Sequence, residues 1–170
     1  MKSIPASVWR ELQLAIAQFS DNASLRDFLD VLLSWVRGNS KLMELESFSL
    51  YGFKEFIEVD EDSMPIGFSS VTHGDIAHFK KAILGYSSRD AESIARFLRD
   101  TLEALITVEV NEKCPNCEND WMRAFIGRNN GRLAYQCDVC GCSRYSDGTR
   151  VEAGGLVFVS EEKLRGFGLI

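Results

Sequence analysis

The sequence predicts an α+β protein: an N-terminal α-helical domain over residues 1–110, followed by a small antiparallel β unit over residues 111–170. Three observations carry that expectation. Apolar residues recur at helical spacing through the first hundred positions; the pattern then changes to short alternating runs near residue 107; and two Cys-x-x-Cys pairs lie among those runs. At 170 residues, 45% hydrophobic and 26% charged, the chain has the composition of an ordinary globular protein.

In the first helix Val8, Leu12, Ile16 and Phe19 share one face, and Pro5 suits a first turn, where no amide donor is needed. Asp21 or Asn22 is placed to cap a second helix. Its stripe is Leu25, Phe28, Leu29, Leu32, Leu33 and Val36, widened by Val31 and Trp35 and stopped at Gly38. Residues 40–70 are ambiguous: "KLMELESF" can continue as helix, "SFSLYGF" can form a short strand, and the acidic run before Met64-Pro65 reads as a loop. Thr72 and Asp75 have capping-box spacing for a third helix that buries Ile76, Phe79, Ile83 and Leu84 and ends at Gly85. A fourth helix after Ser87 and Asp90 presents Ile94, Phe97, Leu98, Leu102, Leu105 and Ile106 on one face.

The second part is built differently. "ITVEV" alternates, and "LAYQC", "SRYS" and "GLVFV" are short runs between glycine-bearing turns. Asn130-Gly131 is a two-residue hairpin signal between "WMRAFIG" and "RLAYQ". A unit of roughly 60 residues buries too little to be stable on its core alone, so it needs a staple.

The cysteines supply one. Cys114-x-x-Cys117 and Cys137-x-x-Cys140 are separated by 19 residues, within the window for a zinc ribbon. Each pair forms a tight knuckle with two thiolates on one side, and a hairpin brings two knuckles together as a tetrahedron. Pro115 fixes φ in the first knuckle, and Gly141 can take the positive φ by which the chain leaves the second. The expected cofactor is therefore one structural Zn2+, closed to water and substrate by four thiolates. A redox pair would sit beside a βαβ pattern, and disulfides fit poorly with five cysteines and no export signal. Cys142 is expected to be a packed or surface thiol.

No catalytic constellation accompanies the metal site. His73 and His78 lie about 140° apart around a helix and cannot chelate one ion from one face. The chain lacks a His-Glu-x-x-His, a phosphate-binding glycine loop and a nucleophile elbow. A non-enzymatic protein is expected.

Charge points to the kind of partner. Residues 1–111 carry 11 Lys and Arg against 17 Asp and Glu, whereas residues 112–170 carry 8 against 8. A net charge of −6 supplies little of the counterion release that drives nucleic-acid binding, and a basic macromolecule is the more natural partner. The run Glu58, Asp60, Glu61 and Asp62 reads as a solvated loop or, more sharply, as a phosphate mimic that plugs a basic cleft. The alternative is a nucleic-acid module. Trp121, Arg123 and Phe125 share a strand face, Arg128 and Arg132 flank the turn, and Tyr135 lies on the returning strand, the mixture used by single-strand platforms. The same residues equally make a small sheet core with solvated arginines. No apolar leader precedes Pro5 and no run of 18 apolar residues occurs, so the expected location is the cytoplasm, with no membrane partner.

The segment "CPNCENDWMRAFIG…YQCDVCGCSRYSDG…GLVFVSEEKLRGFGL" resembles the ribbon-type tails of small bacterial immunity proteins of contact-dependent growth inhibition and related polymorphic toxin systems. The resemblance covers residues 114–170 only. It implies a cytoplasmic protein that binds one cognate toxin domain and blocks it, and it carries over no contact residue.

Overall fold

A computed structural model describes residues 3–20 and 22–170. The expected capping role of Asp21 lies outside them. The architecture is α+β, with helices concentrated in the N-terminal part and an antiparallel sheet in the C-terminal part. The chain divides into two compact units. One runs through Val59 and resumes over Val71–Leu105; the other joins Asp60–Ser70 to Ile106–Ile170. The first unit ends at Leu105 and the second resumes at Ile106, with an eleven-residue piece from the middle of the chain in the same unit as the sheet.

The first unit contains α1 (Ala6–Gln18), α2 (Leu25–Gly38), the short helices α3 (Ser40–Met43), α4 (Glu46–Leu50) and α5 (Phe53–Ile57), then α6 (His73–Gly85) and most of α7 (Ala91–Ile106). α2 is the most enclosed, burying Phe28, Leu29, Leu32, Leu33, Trp35 and Val36. Its start is Ser24, which accepts from the Asp27 amide while Asp27 accepts from the Ser24 amide at 2.8 Å. This reciprocal box satisfies two orphan donors, so Ser24 rather than Asn22 is the N-cap. In α1 the core positions are Trp9, Leu12 and Ile16, while Val8 is only half-buried. Trp9 donates its indole N–H to the Tyr86 carbonyl, and Trp35 donates to that of Val8, so neither buried indole loses its hydrogen bond.

"SFSLYGF" is not a strand. Gly52, at φ 71°, breaks it into α4 and α5, and Phe48, Phe53 and Phe56 are all buried. The left-handed glycine resets the helical phase, which destroys the single periodicity a sequence reading looks for. In α6, Ile76 and Ile83 are buried, but Phe79 is half-buried and Leu84 is 41% exposed. The predicted apolar face of this helix is therefore narrower than four residues.

In the second unit β2 (Met122–Gly127) is central. Its one edge pairs with β3 (Leu133–Gln136), and its other edge is shared by β1 (Glu109–Val110) and β5 (Leu156–Val157). β4 (Ser143–Tyr145) pairs with β3, all antiparallel. Flanked on both edges, β2 is buried at every position. A core of Val108, Val110, Met122, Ala124, Ile126 and Tyr135 is closed by Val159 and by Leu164 of α8 (Glu161–Gly166). The β2–β3 connection is a five-residue loop, residues 128–132, rather than a two-residue turn at Asn130-Gly131. The Arg128 amide is taken by the Gly155 carbonyl and the Arg132 amide by the Asn130 side chain, so the ladder cannot extend further.

Asp27, Asp75 and Asp90 have pKa values held below the ordinary carboxylate range by hydrogen bonds at three helix starts: Ser24 hydroxyl then amide for Asp27, Thr72 amide then hydroxyl for Asp75, Ser93 hydroxyl then amide for Asp90. A lowered folded-state pKa adds stability above about pH 4 that is lost as pH falls through the lowered values. Ser24→Ala is expected to cost about 1 kcal/mol at pH 7 and progressively less on acidification, read from urea melts followed by far-UV circular dichroism.

Candidate metal centre

Two loops with the same backbone pattern bring four sulfurs together. In the first, the Cys114 amide donates to the Asn119 carbonyl and the Glu118 amide to that of Cys114; in the second, the Cys137 amide donates to Cys142 and the Gly141 amide to Cys137. The second loop turns out at Gly141, φ 68°, and the first at Glu118, φ 61°. Glu118 is the one non-glycine residue at positive φ among the described residues. It occupies a backbone region that a Cβ disfavours and that glycine enters freely. Superimposing "CPNCEN" on "CDVCGC" places Glu118 on Gly141, and that internal repeat was the signal available in the sequence.

The Sγ atoms of Cys114, Cys117, Cys137 and Cys140 all lie within 4.8 Å of one another. Contacts of 3.5 Å join Cys114 to Cys140 and Cys117 to Cys137, so each knuckle touches the other through both of its sulfurs. These distances are too long for a disulfide, where S–S is about 2.05 Å. They approach the edge of a tetrahedron of thiolates bound at about 2.3 Å, roughly 3.8 Å. The donor set therefore fits a metal ion, and the four residues are the ones that would hold it. In each knuckle the first cysteine is buried and the second exposed.

The thiols are electrostatically unequal. Burial raises the Cys114 pKa, but the amides of Cys117 and Asn116 outweigh it and hold the thiol at about 6. At Cys117 the Asn119 amide pulls downward, yet desolvation and hydrogen bonds shared with the other three sulfurs push it up to about 12. Cys140 is lowered, chiefly by the Asn116 side chain. Amides aimed at sulfur favour thiolate, the form that binds metal. Cys142 is half-buried against the sheet core and outside the four-sulfur cluster, and burial raises its pKa.

The other residues singled out by sequence do not form one site. Phe125 and Tyr135 are buried, at 4% and 6% exposure, and only Trp121, just before β2, stands in solvent. Arg123 is buried and bonds to Asp138 at 2.6 Å, to Glu109 at 3.2 Å and to the Thr107 hydroxyl at 3.1 Å. Arg128 donates to the carbonyls of Gly154 and Leu156, and Arg132 pairs with Asp147 over the Tyr145 ring. Of the acidic run, Glu58, Asp60 and Asp62 are exposed and Glu61 is half-buried. Glu61 begins a 3-10 turn, Glu61–Ser63, whose Asp62 amide is capped by the Asp60 carboxylate. His73 and His78 are both exposed on α6 and join no metal-type cluster among the described residues. No helix of the described residues is long and apolar enough to cross a membrane.

No protein-family model, curated protein or solved structure matches the chain.

Glu118→Gly relieves the left-handed side chain at the loss of one exposed Lys113 contact, which is worth little. The expected result is a β unit more stable by about 1 kcal/mol, with tighter metal retention in a chelator competition and unchanged helical content.

Proposed function

We propose that the second unit is a zinc ribbon, with one structural Zn2+ held by Cys114, Cys117, Cys137 and Cys140, and that the protein is a non-enzymatic binder. It acts in the cytoplasm as an immunity protein, binding a cognate bacterial toxin domain of basic surface, such as a nuclease, and neutralising it. Four thiolates fill a tetrahedral ion, so the metal supplies shape rather than chemistry. Cysteine-only coordination favours zinc over the oxygen-loving divalent ions.

The observation that carries the binding reading is the engagement of the arginines. Arg123, Arg132, Arg144 and Arg165 each pair with a carboxylate of their own unit. Such pairing leaves the net charge of −6 untouched, but it occupies the guanidinium forks that would otherwise clamp phosphate. Asp120, Glu152 and Glu162 remain exposed beside the exposed cations Lys113, Arg150 and Lys163, and the excess of carboxylates over the whole chain is suited to steering a basic protein. The resemblance of residues 114–170 to immunity-protein tails supports the same reading.

Two outcomes are expected. Binding of structural zinc is worth on the order of 10–16 kcal/mol, so strong chelation or Cys114→Ser should abolish the tertiary signal of the β unit while most helical circular dichroism persists. A sheet that stays folded without metal refutes the structural ion. Co-expression with a basic toxin domain encoded beside the gene should restore growth, with a 1:1 complex in titration calorimetry. A toxin that stays fully active, or salt-sensitive oligonucleotide binding lost in Arg128→Glu/Arg132→Glu, overturns the immunity reading.

A further inference from the structure

We infer that the tip of the β unit, where the two cysteine knuckles meet Trp121, is a docking surface for a basic protein segment that carries apolar side chains. The inference rests on the binding reading above and names the face that performs it.

The chain has three tryptophans. Trp9 and Trp35 are buried at 3% and 6%, whereas Trp121 is 53% exposed. Val139, in the second knuckle, is 70% exposed. The β2–β3 ladder ends at Arg123–Gln136: Trp121 lies two residues before Arg123, and Val139 follows Asp138, whose carboxylate bonds to Arg123. Two large apolar groups thus stand in solvent at one end of the hairpin. The backbone there is held: the Asn119 side chain donates to the Trp121 carbonyl at 2.6 Å, and the Arg123–Asp138 bond ties β2 to the second knuckle. An ordered aromatic loses little entropy when covered, and tryptophan is the residue most enriched among binding hot spots.

Charge selects the occupant. The Glu118 side chain is 81% exposed beside Lys113, and that of Asp138 is 43% exposed while bonded to Arg123, so the unpaired charge of the rim is that of Asp120 and of the thiolates. Asp120 is exposed and has no ion pair among the described residues. Cys117 and Cys140 present their residues to solvent at the same end, and a divalent ion neutralises only half the charge of four thiolates. An apolar centre with an anionic rim is complementary to a segment rich in Lys or Arg with Leu, Met or Phe between them. The acidic run at 58–62 differs, because it has exposed carboxylates and no large exposed apolar side chain. Charge without an anchor accelerates encounter, and the tip supplies the anchor that slows release.

The test uses the full zinc-loaded chain and Trp121 as reporter, since it is the one exposed indole of the three. A synthetic Lys/Leu amphipathic peptide should shift Trp121 emission to the blue and shield it from acrylamide, and a Glu/Leu peptide of the same length should not. Against the toxin domain, Trp121→Ala, Val139→Ser and Asp120→Lys should each weaken binding by on the order of 30-fold, with zinc content unchanged. Charge reversal at Glu58, Asp60 and Asp62 should slow association and leave dissociation as it was. If the toxin domain binds and the tip variants bind equally well, the tip is overturned while the immunity reading stands. If the toxin domain does not bind, that reading fails, and the peptide arm decides the tip alone: unchanged Trp121 emission sinks it.

Discussion

Four sulfur atoms within 4.8 Å of one another are the constraint from which the second unit is built. Unligated, they are a crowded set of groups that cannot all ionise. Bridged by an ion, they would join the chain ahead of β2 to the chain behind β3 and close one end of a hairpin whose other end is a five-residue loop. β1, β3 and β5 pair with β2 on both edges, and its side chains are the centre of the small core of this unit.

The same constraint organises the charges. Arg123 lies on the buried strand, and its guanidinium is accommodated because Asp138 of the second knuckle, Glu109 of β1 and the Thr107 hydroxyl converge on it. A buried cation with three partners is held in place rather than offered to a ligand, and losing one partner would leave it under-satisfied. Arg144 on β4 is half-buried and less completely held: it bonds to Glu112 and lies 5.8 Å from the centre of the Tyr135 ring, while its Nε is buried without a partner among the described residues. Each such pair holds one cation and one carboxylate, so the net charge stays at −6 while the guanidinium forks are occupied.

What the sequence made legible was local. Helical stripes, the change of period near residue 107 and the Cys-x-x-Cys spacing each depend on neighbours within a few positions, and they predict the α-then-β order and the four converging sulfurs. The failures lie where distant groups decide. Leu84 belongs to an apolar pattern, yet it sits at the end of α6, where the narrower stripe of Ile76 and Ile83 is the part covered. The hairpin loop is longer than Asn130-Gly131 suggests because the Gly155 carbonyl, 27 residues away and just before β5, claims the Arg128 amide. Trp121, Arg123 and Phe125 alternate as a single face would, but β2 is enclosed on both sides and its flanking Trp121 alone is left in water. Period two identifies a strand; it does not say whether the second face is covered.

Asp60–Ser70 has a consequence for synthesis. Its Met64, Pro65 and Ile66 are buried, the Ser70 hydroxyl bonds to Glu109, and the Phe68 ring lies 5.1 Å from the Arg165 guanidinium. These partners follow it by 39 and 97 residues in the chain. During translation the segment leaves the ribosome well before the strands and the helix it belongs with. The helices on either side of it can pack early while it waits with Met64, Pro65 and Ile66 uncovered, and it becomes secure only when the last residues arrive. The order of assembly is therefore written into a discontinuity: the unit that closes last depends on a piece that was made near the middle.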